Sequence, residues 1–153
     1  MFLTSVLSII LIPLVGCVFI FLFRHNINRR EGVSFITAIL LFLMVLRLFF
    51  SPNIDQQTVD IIKVVPGLSI SFFFDHLSVV FAFVASSLWI ITTMYSIGYM
   101  RGLREKNQTR FFCCFAIAIT ATMGVAFSAN LLTLYVFYEM LSISTYPLVA
   151  HNQ

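Results

Sequence analysis

The sequence predicts an all-α protein, a bundle of about five helices that crosses a lipid bilayer. Three observations carry this expectation. Of the 153 residues, 60% are apolar and only 10% charged, against roughly 25% charged in a soluble domain. The apolar residues fall into five long runs, and seven of the nine basic residues gather in two breaks between them. A soluble body this small has too little interior to hide so much apolar surface, whereas lipid accepts it.

Each run is long enough to cross the ~30 Å hydrocarbon core as a helix. The first, residues 3–23, has no basic residue before it and no small-residue cleavage motif after it, so it is expected to stay in the mature protein rather than act as a secretory signal. Arg24, Arg29 and Arg30 follow as a loop, and the second span is expected over 33–50. Residues 51–69 read as an external loop carrying Asp55, Asp60 and Lys63. Within it, the β-branched stretch 58–65 before Pro66-Gly67 has the pattern of a short hairpin strand. The third span is expected over 70–97, the fourth over 111–129 and the fifth over 131–150. The three-residue link Ser128-Ala129-Asn130 makes the last two antiparallel neighbours. The whole reads as a single membrane domain, 1–153, or a piece of one.

The loop charges orient the bundle. Arg24, Arg29 and Arg30 share one side with Arg101, Arg104, Lys106 and Arg110, and the positive-inside rule makes that side the cytoplasm. The N-terminus is then outside and the C-terminus inside an inner cell membrane. The net charge of +3 does not form a stripe along one face, which argues against nucleic acid as a partner. Cys17, Cys113 and Cys114 lie within apolar runs without metal or redox spacing and read as small packing residues. Tyr95 and Tyr99 suit an interfacial belt. Ser86, Ser87, Thr92, Thr93, Thr120, Thr122 and Ser128 read as small or hydroxylated residues that let helices approach and hydrogen-bond to one another.

Ionisable residues inside spans each need a reason, because a charge at the bilayer centre costs at least ~2.5–3.5 kcal/mol on insertion scales. Glu139 falls near the middle of the fifth span, ~13 Å from its outer boundary, too deep to snorkel. Tyr135, Glu139, Ser142 and Tyr146 recur at helical spacing and form a polar stripe that should face protein or water rather than lipid. A carboxyl held between desolvation and a nearby cation can exchange a proton, which suits a relay. Arg47, near the outer end of the second span, either snorkels to the headgroups or pairs with Asp75 at similar depth, with His76 adding a protonatable contact. Pro147 should loosen the last turns of the fifth helix.

Asn130-Leu-Leu-Thr-Leu-Tyr-Val-Phe-Tyr-Glu139-Met-Leu-Ser-Ile-Ser-Thr-Tyr-Pro-Leu-Val149 resembles helix five of the antiporter-like, proton-translocating subunits shared by respiratory complex I and the multisubunit Mrp-type cation/proton antiporters. Phe74-Asp75-His76-Leu77-Ser78 resembles the opening of helix three in that family, and Arg110-Phe111-Phe112 the start of helix four. The motif around Glu139 looks closest to the D-type Mrp subunit, with the proton-pumping subunits of NADH-quinone oxidoreductase as the runner-up. The resemblance implies that Glu139 matches the carboxylate that pairs with a lysine on helix seven and tunes its proton affinity, and that Asp75 matches a recurrent acid. Family members run to about fourteen helices, so the chain is expected to be the N-terminal part of such a fold, from a split or truncated frame or a fragment.

The function expected on these grounds is proton translocation or monovalent cation:proton antiport within a larger assembly of integral membrane subunits. Protons and Na+ or K+ would be the transported ions. No Gly-rich nucleotide loop, cysteine cluster or histidine pair suggests a cofactor or a metal, and no autonomous catalysis is expected from these residues. A competing expectation of another class is a non-transporting membrane scaffold or gene remnant.

Overall fold

The computed structural model describes residues 2–51, 58–65, 67–103 and 107–149. Five helices and one hairpin follow in order: α1 (Phe2–Leu22), α2 (Ile27–Phe49), β1 (Thr58–Val65), β2 (Leu68–Phe73), α3 (His76–Leu103), α4 (Gln108–Ala126) and α5 (Leu131–Val149). Arg104, Lys106, Asp55, Pro66 and Ala150, all named in the sequence reading, lie outside the described residues.

The helices pack in the spatial order α3, α2, α1, α4, α5, so that α1 lies between α2 and α4, and α3 touches α4 only lightly. One interlocking core runs through them, with Ile9 and Ile20 of α1, Leu41 and Val45 of α2, Trp89 of α3 and Met123 of α4 fully buried. Close approach is set by small residues. At Gly16, a β-carbon would stand 2.5 Å from the Thr37 methyl of α2, so only glycine lets those two helices meet at this distance.

The outer surface is apolar. Val18, Phe21, Ile36, Leu43, Leu88, Ile91 and Ile143 are all exposed, a distribution that fits lipid because the backbone groups in the helix interiors are bonded within their own helices. Among the described residues α2, α3 (over His76–Gly102) and α4 are long and apolar enough to cross a membrane. α1 is 21 residues long, and its apolar stretch among the described residues is Leu7–Leu22. α5 equals α4 in length, at 19 residues, but Glu139 and the tyrosines 135, 138 and 146 lower its hydropathy.

Three helices differ from the sequence expectation in where they begin or end. α2 starts at Ile27 rather than 33, because Arg30 and the residue after it, Glu31, are held by other helices and need not be loop. α3 starts at His76 rather than 70: residues 68–73 pair antiparallel with β1, from Thr58↔Phe73 to Val65↔Leu68, and Gly67 takes the positive φ of 93° at the turn. α3 then runs to Leu103, beyond 97. α4 spans 108–126 rather than 111–129, because residues 127–129 bond to the hairpin instead. The Phe127 carbonyl accepts from the Phe73 amide (2.8 Å), and the Ala129 amide donates to the Ser71 carbonyl (2.9 Å).

The helix hydroxyls also differ from expectation. Ser86, Ser87, Thr92, Thr120 and Thr122 donate to carbonyls three or four residues back in their own helices. They satisfy themselves locally, as isolated hydroxyls in apolar surroundings do, rather than bonding across helices.

Candidate functional site: the outer face of α5

α5 begins at a cap that also fastens the hairpin. Asn130 Oδ1 accepts from the Thr133 amide (2.8 Å) and from the Thr133 hydroxyl (2.8 Å), while its Nδ2 donates to the Ser69 carbonyl (2.6 Å) and the Ser71 hydroxyl (2.8 Å). The Ser71 amide in turn donates to Thr133 Oγ1 (3.0 Å). An Asn at the N-cap satisfies one of the orphan amides of the first turn. Here the same side chain locks β2 across the helix start, which fixes the rotation of α5.

That rotation divides the helix into two faces. Thr133, Phe137 and Ser144 turn toward the bundle, the first and last of them buried, and Phe137 packs edge-on to Phe72 at 5.7 Å between ring centroids. Tyr135, Glu139, Ser142 and Tyr146 are all exposed on the opposite side. Glu139 is the ninth residue of the 19 in α5. It makes no side-chain hydrogen bond or ion pair among the described residues, and Ser142 donates only to the Tyr138 carbonyl (3.1 Å). Beside the carboxyl runs a groove of about 460 Å³ between α4 and α5, walled by Cys114, Ile117, Val136, Met140 and Ile143.

The structure does not bring the other acid and base candidates to Glu139. Asp75 is the cap of α3: its Oδ1 accepts from the Ser78 amide (2.6 Å), which gives it a local structural role. Arg47 and His76 are exposed, and Arg47 forms no ion pair with Asp75, whose carboxylate is turned onto its own helix; of the two alternatives for Arg47, the pair is not formed.

At the end of the bundle opposite the hairpin the structure assembles a second polar centre that the sequence reading missed. Arg30, 4% exposed, donates from Nη1 to Thr109 Oγ1 (3.0 Å) and from Nη2 to Gln108 Oε1 (2.5 Å). Gln108 Nε2 continues to the Met100 carbonyl (3.1 Å), so one chain of hydrogen bonds joins α2, α4 and α3. Glu31, 3% exposed, pairs with Arg101 (2.5 Å), whose guanidinium also donates to Asn28 Oδ1 (2.8 Å). The only sequence signal was a glutamate directly after two arginines, Arg29 and Arg30.

Comparison with known proteins agrees with this architecture. Residues 66–112 match the family model described as the N-terminus of chain 5 of NADH-ubiquinone oxidoreductase (complex I). The chain is 26% identical over 114 residues to Na+/H+ antiporter subunit A1 of Staphylococcus haemolyticus (strain JCSC1435), covering 73% of this chain and 14% of that one. It is 30% identical over 83 residues to the chloroplastic NAD(P)H-quinone oxidoreductase subunit 5 of Chara vulgaris, covering 54% and 12%. In structure it is similar to a chain of the membrane-bound sulfane sulfur reductase, an archaeal respiratory membrane complex, with a TM-score of 0.76, 15% identity, and 95% of this chain covered against 23% of that one.

The resemblance drawn from the motifs of α3 and α5 therefore holds: the chain is similar to antiporter-like membrane subunits of both the respiratory and the antiporter kind. It spans less than a sixth of the length of these curated relatives. The finer expectation of a D-type subunit is not carried by them, since they are A1 and subunit 5 chains. The family match includes Asp75 and ends before α5, so it does not reach Glu139.

Proposed function

We propose that these residues form the N-terminal membrane domain of an antiporter-like subunit, in which Glu139 relays protons. The transport would be coupled to Na+ or K+ exchange, or to a redox reaction carried out by other subunits. The observation that carries this reading is the position of Glu139, at mid-helix, on an exposed face, with no partner in the bundle. An unpaired carboxylate left there in lipid would cost at least ~2.5–3.5 kcal/mol. Tyr135, Ser142 and Tyr146 extend that face, so it suits a covering of further helices or water. Among the described residues no basic side chain pairs with Glu139, so in this reading its cation comes from that covering.

The basic end, with Arg24, Arg29, Arg101 and Arg110, then faces the cytoplasm and the hairpin faces outside. A second reading, a proton-pumping subunit of a quinone oxidoreductase, is favoured by the family match to complex I chain 5. It assigns Glu139 the same task and differs in the energy source.

The test is proton flux into vesicles containing the intact membrane complex, followed with a pH-sensitive dye. Glu139→Gln should remove nearly all flux while the complex still assembles. Flux that responds to added Na+ or K+ selects the antiporter reading, and flux driven by quinone reduction selects the other. Undiminished flux in an assembled Glu139→Gln complex would overturn the relay and leave a membrane scaffold.

A further inference from the structure

A groove of about 700 Å³ opens at the basic end, between the α1–α2 turn and the start of α4. Arg24, Arg30 and Arg110 line it together with His25, and among the described residues no aspartate or glutamate does. Glu31, the nearest acid in sequence, is engaged with Arg101. The three guanidiniums are held in different ways. Arg30 is fixed by Thr109 and Gln108, yet its buried Nε has no hydrogen-bond partner. Arg24 lies over the Phe21 ring at 5.4 Å and donates to His25 Nε2 (3.3 Å). Arg110 is exposed, in the first turn of α4, and makes no side-chain bond to another described residue.

The first turn of α4 adds backbone donors. Asn107 precedes it in a left-handed conformation, φ 63°, and its side chain does not cap the helix. The leading amides of α4 are therefore left for another acceptor. Three cationic side chains, an orphan buried N–H and an uncapped helix start, without a counter-charge among the described residues that line the groove, make a place for an anion with several acceptor oxygens. Such an anion is a phosphate group.

We infer that this groove binds the headgroup of an anionic phospholipid. The choice of lipid over free phosphate rests on the rest of the lining: Phe21, Ile27, Cys113 and Cys114 continue the groove into the apolar part of α1, α2 and α4. A bound lipid would set its phosphate among the arginines at the bilayer boundary and lay its acyl chains down that apolar slope. Basic pockets between membrane helices on the inner face take such headgroups.

The experiment uses the full chain in a neutral detergent, with dioleoyl phosphatidylglycerol as probe, the corresponding phosphatidylcholine as control, and lipid adducts counted by native mass spectrometry. Phosphatidylglycerol should be retained at least about tenfold more tightly than phosphatidylcholine, and Arg24→Gln with Arg110→Gln should remove that preference. Arg47→Gln, an equal loss of charge per site at the hairpin end, should leave it intact. A second measurement needs no variant: phosphatidylglycerol should slow N-ethylmaleimide modification of Cys113 and Cys114, which line the groove, more than that of Cys17, which does not. Equal retention of the two lipids, an equal effect of Arg47→Gln, or absence of cysteine protection would overturn the assignment. Protection by millimolar inorganic phosphate alone would assign the groove to a soluble anion and overturn the lipid.

Discussion

The ring of Phe137 in α5 lies against the bare α-carbon of Gly124 in α4, so close that a β-carbon at 124 would overlap the ring. α4 and α5 therefore meet through a knob and a vacancy. Gly124→Ala should push the helices apart or force Phe137 off its rotamer, at a cost of about 1–3 kcal/mol. The expected readout is a lower thermal unfolding midpoint in detergent. Phe137→Leu in the Gly124→Ala background should restore part of the loss, and an additive double mutant would show that the two residues do not interact in this way.

Asn130 joins a helix cap to a hairpin clamp, and its two functions can be separated. Asn130→Ala removes both and should cost about 1–2 kcal/mol, the upper range for an N-cap. Asn130→Asp keeps the acceptor for Thr133 but loses the donors to Ser69 and Ser71. Hydrogen exchange should then show faster β2 amides in both variants, with the first turn of α5 loosened only in Asn130→Ala. Equal protection of β2 in wild type and Asn130→Asp would show that the amide donors do not hold the hairpin.

Glu31 is buried and depends on the half-exposed Arg101 for its counter-charge. Arg101→Met should therefore destabilise the chain more than Glu31→Gln with Arg101→Met does, since the single variant leaves a buried carboxylate without its counter-charge and the double variant does not. Thermal midpoints of the three proteins decide it. If the double variant is the least stable, the ion pair is not what holds this end together.

The membrane architecture was legible because a run of about twenty apolar residues has few other uses, and the five runs became five helices. The hairpin was half legible. β1 announced itself through Thr58-Val59, Ile61-Ile62 and Val64-Val65, but Ile70-Ser71-Phe72-Phe73 is a short apolar stretch that reads equally as strand or as the start of the long helix that follows. Its strand state is decided by pairing with β1 and with residue 128, which are tertiary facts. Arg30 and Glu31 looked like loop charges because their partners, Gln108, Thr109 and Arg101, lie seventy or more positions away. At the candidate site, Glu139 was legible as an acid at mid-span. Its orientation was not, since that follows from the Asn130 clamp and the fit of Phe137 to Gly124.

The proposed orientation can be checked directly, because the two ends of the bundle each offer an exposed position. In a background with Cys17, Cys113 and Cys114 replaced by alanine, Thr58→Cys marks the hairpin and Asn107→Cys the basic end; both positions are exposed. In the proposed orientation, argued from the charge bias of the loops, the hairpin is outside. A membrane-impermeant maleimide added to right-side-out vesicles should then label Thr58→Cys at once and Asn107→Cys only after permeabilisation. The reverse order would invert the bundle. It would put the basic groove on the outer leaflet and make Glu139 approachable from the hairpin side only through what is then the inner half of α5.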